Sequence, residues 1–218
     1  MIPQAIRMAE NAFRRYKTRD PYEIIDARNI KLRFFDEPKG LLGFYTVLNR
    51  KQIIGLNNSA NEVQKRTGAI HELGHSLIDY RFAASGHRFE DFKFFSLSNA
   101  PSESNANLAG ADLCISDEFI LERIHYGQYQ EVVEHINQHI SQYKTDSAKM
   151  AFEEEQIRDF YESYTDIPSY DQLAMELGVD VGVVKFKCRA LRYKDYDLPN
   201  LPETRADFLK NWQHSTCW

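Results

Sequence analysis

His71-Glu72-Leu73-Gly74-His75 is the stretch whose residue types and spacing can do chemistry. Residues four apart on a helix project from one face. His71 and His75 can therefore hold one ion, while Glu72 reaches a water bound to it. A zinc ion lowers the pKa of such a water to about 7, and Glu72 is placed to take its proton and pass it to a leaving amine. The pattern is that of metal-assisted peptide hydrolysis. A catalytic zinc takes three protein ligands and keeps one position open, so one ligand must come from outside the motif. Glu103, at the start of Glu103-Ser-Asn-Ala-Asn107, is the best candidate, because a carboxylate from a second helix crossing the first completes a tetrahedron. Asp79 on the same helix, His87 in a loop and Asp112 further along the Glu103 helix are the alternatives. Asn107 lies four residues after Glu103 and is suited to hydrogen-bond the far nitrogen of a ligand histidine. An oxyanion donor is not singled out; Tyr80, His87 and Tyr126 qualify by residue type alone.

These side chains need a helix to carry the motif and a second to cross it. Residues 60–80 read as a long helix, with Ser59 and Glu62 as a capping-box pair at its start. Residues 101–114 read as the crossing helix, with Pro101 in its first turn. Upstream, residues 4–17 and 22–27 read as helices. Residues 30–34 alternate apolar and charged as a half-buried strand does, and 42–48 and 52–56 are two more strand candidates, with a hairpin at Asn49-Arg50-Lys51. Together the strands suggest a three-stranded antiparallel meander. Residues 83–99 read as a loop, and helices are predicted near 117–126, 129–143 and 147–164, the last with an acidic solvated face. The fold class is α+β, mainly helical.

Residues 169–194 have a different character. Ser169 and Gln172 form a second capping-box pattern, and Gly178 interrupts two short helical periods, which gives a helix-turn-helix unit. Its second helix carries Lys185, Lys187, Arg189, Arg192 and Lys194. A basic helix can enter a DNA groove. The chain as a whole carries 27 Lys and Arg against 32 Asp and Glu, a net charge of −5, which opposes phosphate attraction. The organisation read from the sequence is a metallopeptidase domain over 1–165, a helix-turn-helix-like segment over 166–196 and a tail over 197–218, with Trp212 as a packing residue.

Other constellations carry less. His135 and His139 are four apart but lack an adjacent carboxylate and a third ligand. His214 and Cys217 fall in the tail. Cys114, Cys188 and Cys217 are widely spaced and odd in number, so neither a disulfide framework nor a cysteine zinc site is indicated. Reduced thiols, no signal-peptide layout and no apolar run of about 18 residues lead to the expectation of a cytoplasmic protein. Ile78 and Arg81 stand where a metzincin carries Gly and His, and no GxGxxG, Walker or GxSxG pattern is present.

Ala69-Ile70-His71-Glu72-Leu73-Gly74-His75, then Glu103-x-x-Ala106-Asn107, then Ala111-Asp112-Leu113-Cys114-Ile115, resembles the ImmA/IrrE metallo-endopeptidases. Ile53-Ile54-Gly55-Leu56-Asn57 before the metal helix is similar to theirs, as is the early Pro21-Tyr-Glu-Ile-Ile helix. The likeness spans about residues 1–125. It implies a zincin-like domain with Zn2+ on His71, His75 and Glu103 and with Glu72 as base. It also implies cleavage of a helix-turn-helix repressor of phage or mobile-element origin, which lifts repression. Two positions depart from the family pattern: Ala109-Gly110 replaces an aromatic-plus-small pair, and Ser116 replaces a proline. A non-cleaving antirepressor and a DNA-binding regulator acting through 169–194 are the alternative functions.

Overall fold

The computed structural model describes residues 2–36, 40–91, 94–95, 100–164 and 166–204. In chain order the elements are α1 (Gln4–Tyr16), α2 (Pro21–Ala27), β1 (Lys31–Phe35), β2 (Gly43–Leu48), β3 (Lys51–Asn57), α3 (Glu62–Ile78), α4 (Tyr80–Ala84), β4 (Arg88–Asp91), α5 (Pro101–Cys114), α6 (Asp117–Arg123), α7 (Tyr126–His139), α8 (Asp146–Ser163), α9 (Tyr170–Leu177) and α10 (Val181–Tyr193). Among the described residues the fold is α+β and mainly helical, with one small sheet. The described residues divide into two compact units, one drawn from 1–116 and 170–196, the other from 117–169 and 197 onward. No described helix is long and apolar enough to cross a membrane. His214, Cys217 and Trp212 lie outside the described residues.

The sheet has the order β1-β3-β2-β4. β2 and β3 form the hairpin that the sequence suggests, closed by Asn49 and Arg50 at φ 50° and 63°, the two left-handed residues of a tight hairpin turn. The rest differs from an antiparallel meander. β3 inserts between its predecessors and runs parallel to β1, with Lys31 opposite Ile53. β4, inside a stretch that reads as loop, adds antiparallel to β2 with Asp91 opposite Gly43. Alternation along a strand reports which face is buried, not the direction of its neighbour, so the pattern at 30–34 could not reveal the parallel pairing.

β3 delivers the chain into α3. The Asn57 carboxamide accepts from the Ser59 amide and hydroxyl, so Ser59 belongs to the turn. The helix is capped two residues later than the sequence suggests, by a reciprocal Asn61–Gln64 box. Thr67 to Ser76 are then buried without a break. The motif helix is thus an interior element, and its polar side chains must find partners inside the fold.

α5 supplies them by crossing α3 at very short range. A Cβ on Gly74 would sit 2.1 Å from the Ala106 carbonyl oxygen, and one on Gly110 would sit 2.3 Å from that of Ile70. Two glycines, one on each helix, therefore let the backbones touch. Arg19 donates to the carbonyls of Asp112, Leu113 and Ile115 at 3.0–3.1 Å, satisfying acceptors that every helix C-terminus leaves open.

α10 packs along α5. Val183, Val184, Phe186, Cys188, Ala190 and Leu191 are buried, and the Asp180 amide donates to Thr67 Oγ1 of α3. Lys187, which the sequence places on a basic face, is fully buried, with Nζ 2.7 Å from Asp112 Oδ1. Lys194 reaches the same oxygen at 2.9 Å. In the other unit, α7 and α8 pair around Tyr129, Phe160 and Ile167. His135 and His139 lie on α7 with ring centroids 4.2 Å apart.

Candidate metal centre

α3 turns His71 and His75 to the same side, so that their Nε2 atoms lie 3.2 Å apart. Glu103, in the first turn of α5, meets both: its carboxylate oxygens are 3.5 Å from His71 Nε2 and 3.5 Å from His75 Nε2. Asp91, the last residue of β4, places Oδ1 3.3 Å from His71 Nε2. One ligand atom from each of His71, His75, Asp91 and Glu103 lies within 4.8 Å of all the others. Tetrahedral bonds of about 2.0–2.1 Å put neighbouring donor atoms about 3.3–3.4 Å apart. The His71–His75, His71–Asp91, His71–Glu103 and His75–Glu103 separations, 3.2–3.5 Å, cluster around that edge length.

The ring orientations say which atoms face inward. His71 Nδ1–H donates to Asn107 Oδ1 at 2.6 Å, and His75 Nδ1–H donates to Asp79 Oδ2 at 2.8 Å. With Nδ1 protonated, each Nε2 carries a lone pair. The inner face of the cluster is then two imidazole lone pairs and two carboxylates, acceptors only. Such a set demands positive charge among its members, either a proton on Nε2 or a bound cation. The donor chemistry, borderline nitrogen with hard oxygen, suits a zinc-type ion.

The electrostatics point the same way. Burial lowers the pKa of His71, but hydrogen bonds to Asp91 and Glu103 and the charge of Glu72 outweigh it and hold the imidazole well above its ordinary value. The same histidine contacts pull Glu103 down. Glu72 is fully buried, and among the described residues neither carboxylate oxygen has a hydrogen-bond partner. Burial raises its pKa well above the usual carboxylate range; the His71 charge opposes this and Asp91 adds to it. A Cβ on Gly43 would lie 2.8 Å from Glu72 Oε1, so the β2 backbone runs directly against this carboxylate. Phe89 stacks on His75 at 4.3 Å, and Phe94 and Phe95 lie 5.5 and 5.7 Å from His71, which walls the cluster with apolar rings.

Of the four candidates for a ligand beyond the motif, Glu103 joins the cluster. Asp79 instead orients His75. His87 stacks on Phe82 at 3.8 Å, and its Nδ1 faces the Ser85 hydroxyl. Asp112 is committed to Lys187 and Lys194. Tyr80 is exposed, and Tyr126 opens α7 in the other unit. Asp91 escaped the sequence reading altogether. Its segment, Arg88-Phe89-Glu90-Asp91, has a single apolar residue in four, too weak a signal to mark a strand.

The model of the peptidase M78 family, described as the IrrE N-terminal-like domain, matches residues 25–152. The chain belongs to this family. The IrrE-like region contains His71, Glu72, His75, Asp91, Glu103 and Asn107, whereas α9 and α10 follow it. The chain is also similar to a protein of Bacillus phage phi105 called "Uncharacterized immunity region protein 2". They share 29% identity over 72 residues, covering 33% of this chain and 46% of the phage protein. The chain thus spans about half the length of that curated relative. No solved structure matches significantly.

Proposed function

We propose that this chain is a zinc-dependent endopeptidase that cleaves a helix-turn-helix transcriptional repressor of phage or mobile-element type and so relieves repression in the cytoplasm. One observation carries the reading: His71, His75 and Glu103 present acceptor atoms at tetrahedral spacing beside the buried carboxylate of Glu72. A zinc ion held there supplies polarisation of the scissile carbonyl and acidification of water. The chain's own residues do the rest. Asn107 and Asp79 fix the histidine tautomers. Glu72, as a carboxylate whose basicity is raised by burial, takes a proton from the attacking water and delivers it to the leaving amine. Phe89 and Phe94 keep bulk water away. Membership of the IrrE-like family supports the chemistry, and the phage relative's name, which refers to an immunity region, supports a regulatory target.

The test is to incubate the full chain and zinc with a helix-turn-helix repressor of phage or mobile-element type and to separate the products. Discrete fragments are expected with the natural chain and none with Glu72→Gln, which keeps its metal. Equal cleavage by both would overturn the reading. A second reading, an antirepressor that binds without cutting, is favoured by the presence of Asp91 at the cluster; it predicts that Glu72→Gln leaves derepression intact. A DNA-binding role through 169–194 is disfavoured by the burial of Lys187.

A further inference from the structure

We infer that Asp91 is a fourth protein ligand, so that the resting centre is closed to water and opens only when this carboxylate withdraws. The inference rests on the reading that His71, His75 and Glu103 hold a metal, and deepens it. Asp91 Oδ1 is one tetrahedron edge, 3.3 Å, from His71 Nε2, and within 4.8 Å of the other ligand atoms. The residue is 8% exposed, and among the described residues its Oδ2 meets no geometric hydrogen-bond partner, although the side chain lies close enough to Glu72 to act on it. It faces His71 Nε2 and neighbours the carboxyl group of Glu72. A buried carboxylate in that company needs a cation to be tolerable. Its backbone is fixed, since the Asp91 carbonyl accepts from the Leu42 amide at 2.7 Å and the residue pairs with Gly43. The carboxylate is thus held at the cluster by the sheet rather than drifting in from a loop.

Four protein ligands make the closed type of zinc centre; three plus an open position make the hydrolytic type. β4 is a four-residue edge strand that pairs with β2 on one side. Rotation of the Asp91 side chain about its fixed backbone would free one position at the centre without disturbing α3 or α5. The conformation of this side chain therefore sets whether the centre can act.

The experiment uses the full chain, Asp91→Asn and Asp91→Ala. Zinc affinity is read by competition with a chromophoric chelator. The visible spectrum of the Co2+-loaded protein is then recorded with and without azide. Loss of a ligand should weaken zinc at least about tenfold. It should also change the Co2+ spectrum and let azide perturb it at concentrations that leave the natural chain unaltered. Variants with unchanged zinc affinity, Co2+ spectrum and azide response would overturn the inference. Should Asp91→Ala fail to fold, the isosteric Asp91→Asn decides. A natural chain that binds zinc and loses it on His71→Ala, with Asp91 variants indistinguishable from it, sinks this inference alone. A natural chain that binds no metal sinks the underlying reading as well.

Discussion

Asn107 accepts the Nδ1–H of His71 at 2.6 Å, across the contact between α5 and α3. The carboxamide oxygen has one tautomer to choose, and that choice turns the His71 Nε2 lone pair toward His75, Glu103 and Asp91. Because Glu103 and Asn107 are one helical turn apart on α5, the element that brings a carboxylate to the cluster also orients the imidazole. Asn107→Ala should keep the fold but lower zinc affinity about 10–100-fold. Competition with a chelator measures it, and an affinity equal to that of the natural chain would show that the hydrogen bond positions nothing.

The close crossing of the two helices sets the same geometry. Gly74→Ala puts a methyl group 2.1 Å from the Ala106 carbonyl oxygen, so α5 must move away. Overpacking of this kind costs about 1–3 kcal/mol, read as a lower midpoint in urea denaturation. The movement also separates Glu103 from the histidines, so zinc affinity should fall in the same variant.

The buried Lys187–Asp112–Lys194 group ties α10 to α5. Asp112→Ala removes the shared anion from a fully buried ammonium, a change that costs about 3–5 kcal/mol at buried pairs. Lys187→Met leaves Asp112 in contact with Lys194 and should cost less. Urea denaturation of the two variants gives the order; the reverse order would contradict this account of the group.

Cys114 is buried, and burial pushes its thiol from 9.0 up to about 12. Above pH 9 the unfolded chain gives up this proton while the folded chain keeps it, so the unfolded state binds fewer protons and stability falls as pH rises. The contribution is complete below pH 9 and is lost as pH climbs toward about 12. Unfolding free energies at pH 8 and pH 10 should show a smaller drop for Cys114→Ala than for the natural chain.

Local periodicity and capping made most helices legible in the sequence. α1, α2, α5 and α8 appear within a few residues of their predicted spans, and α9 and α10 fall inside the predicted helix-turn-helix stretch. The cap of α3 was misplaced because Ser59–Glu62 and Asn61–Gln64 offer the same chemistry two residues apart, and only the turn at Asn57 decides between them. Within the site, helical spacing made the pairings of His71 with His75 and of Glu103 with Asn107 readable. Asp91 was not readable, because its place depends on a sheet register 48 residues from its partner at Gly43. Lys187 reads as one more surface cation until α5 is known to lie against it.

Zinc content per chain, measured on protein loaded with the metal and dialysed, tests the central claim most directly. About one zinc per chain is expected in the natural protein and in Glu72→Gln, with loss in His71→Ala and His75→Ala and a marked fall in Glu103→Ala. A natural chain without zinc, or ligand variants that retain it in full, would contradict the account.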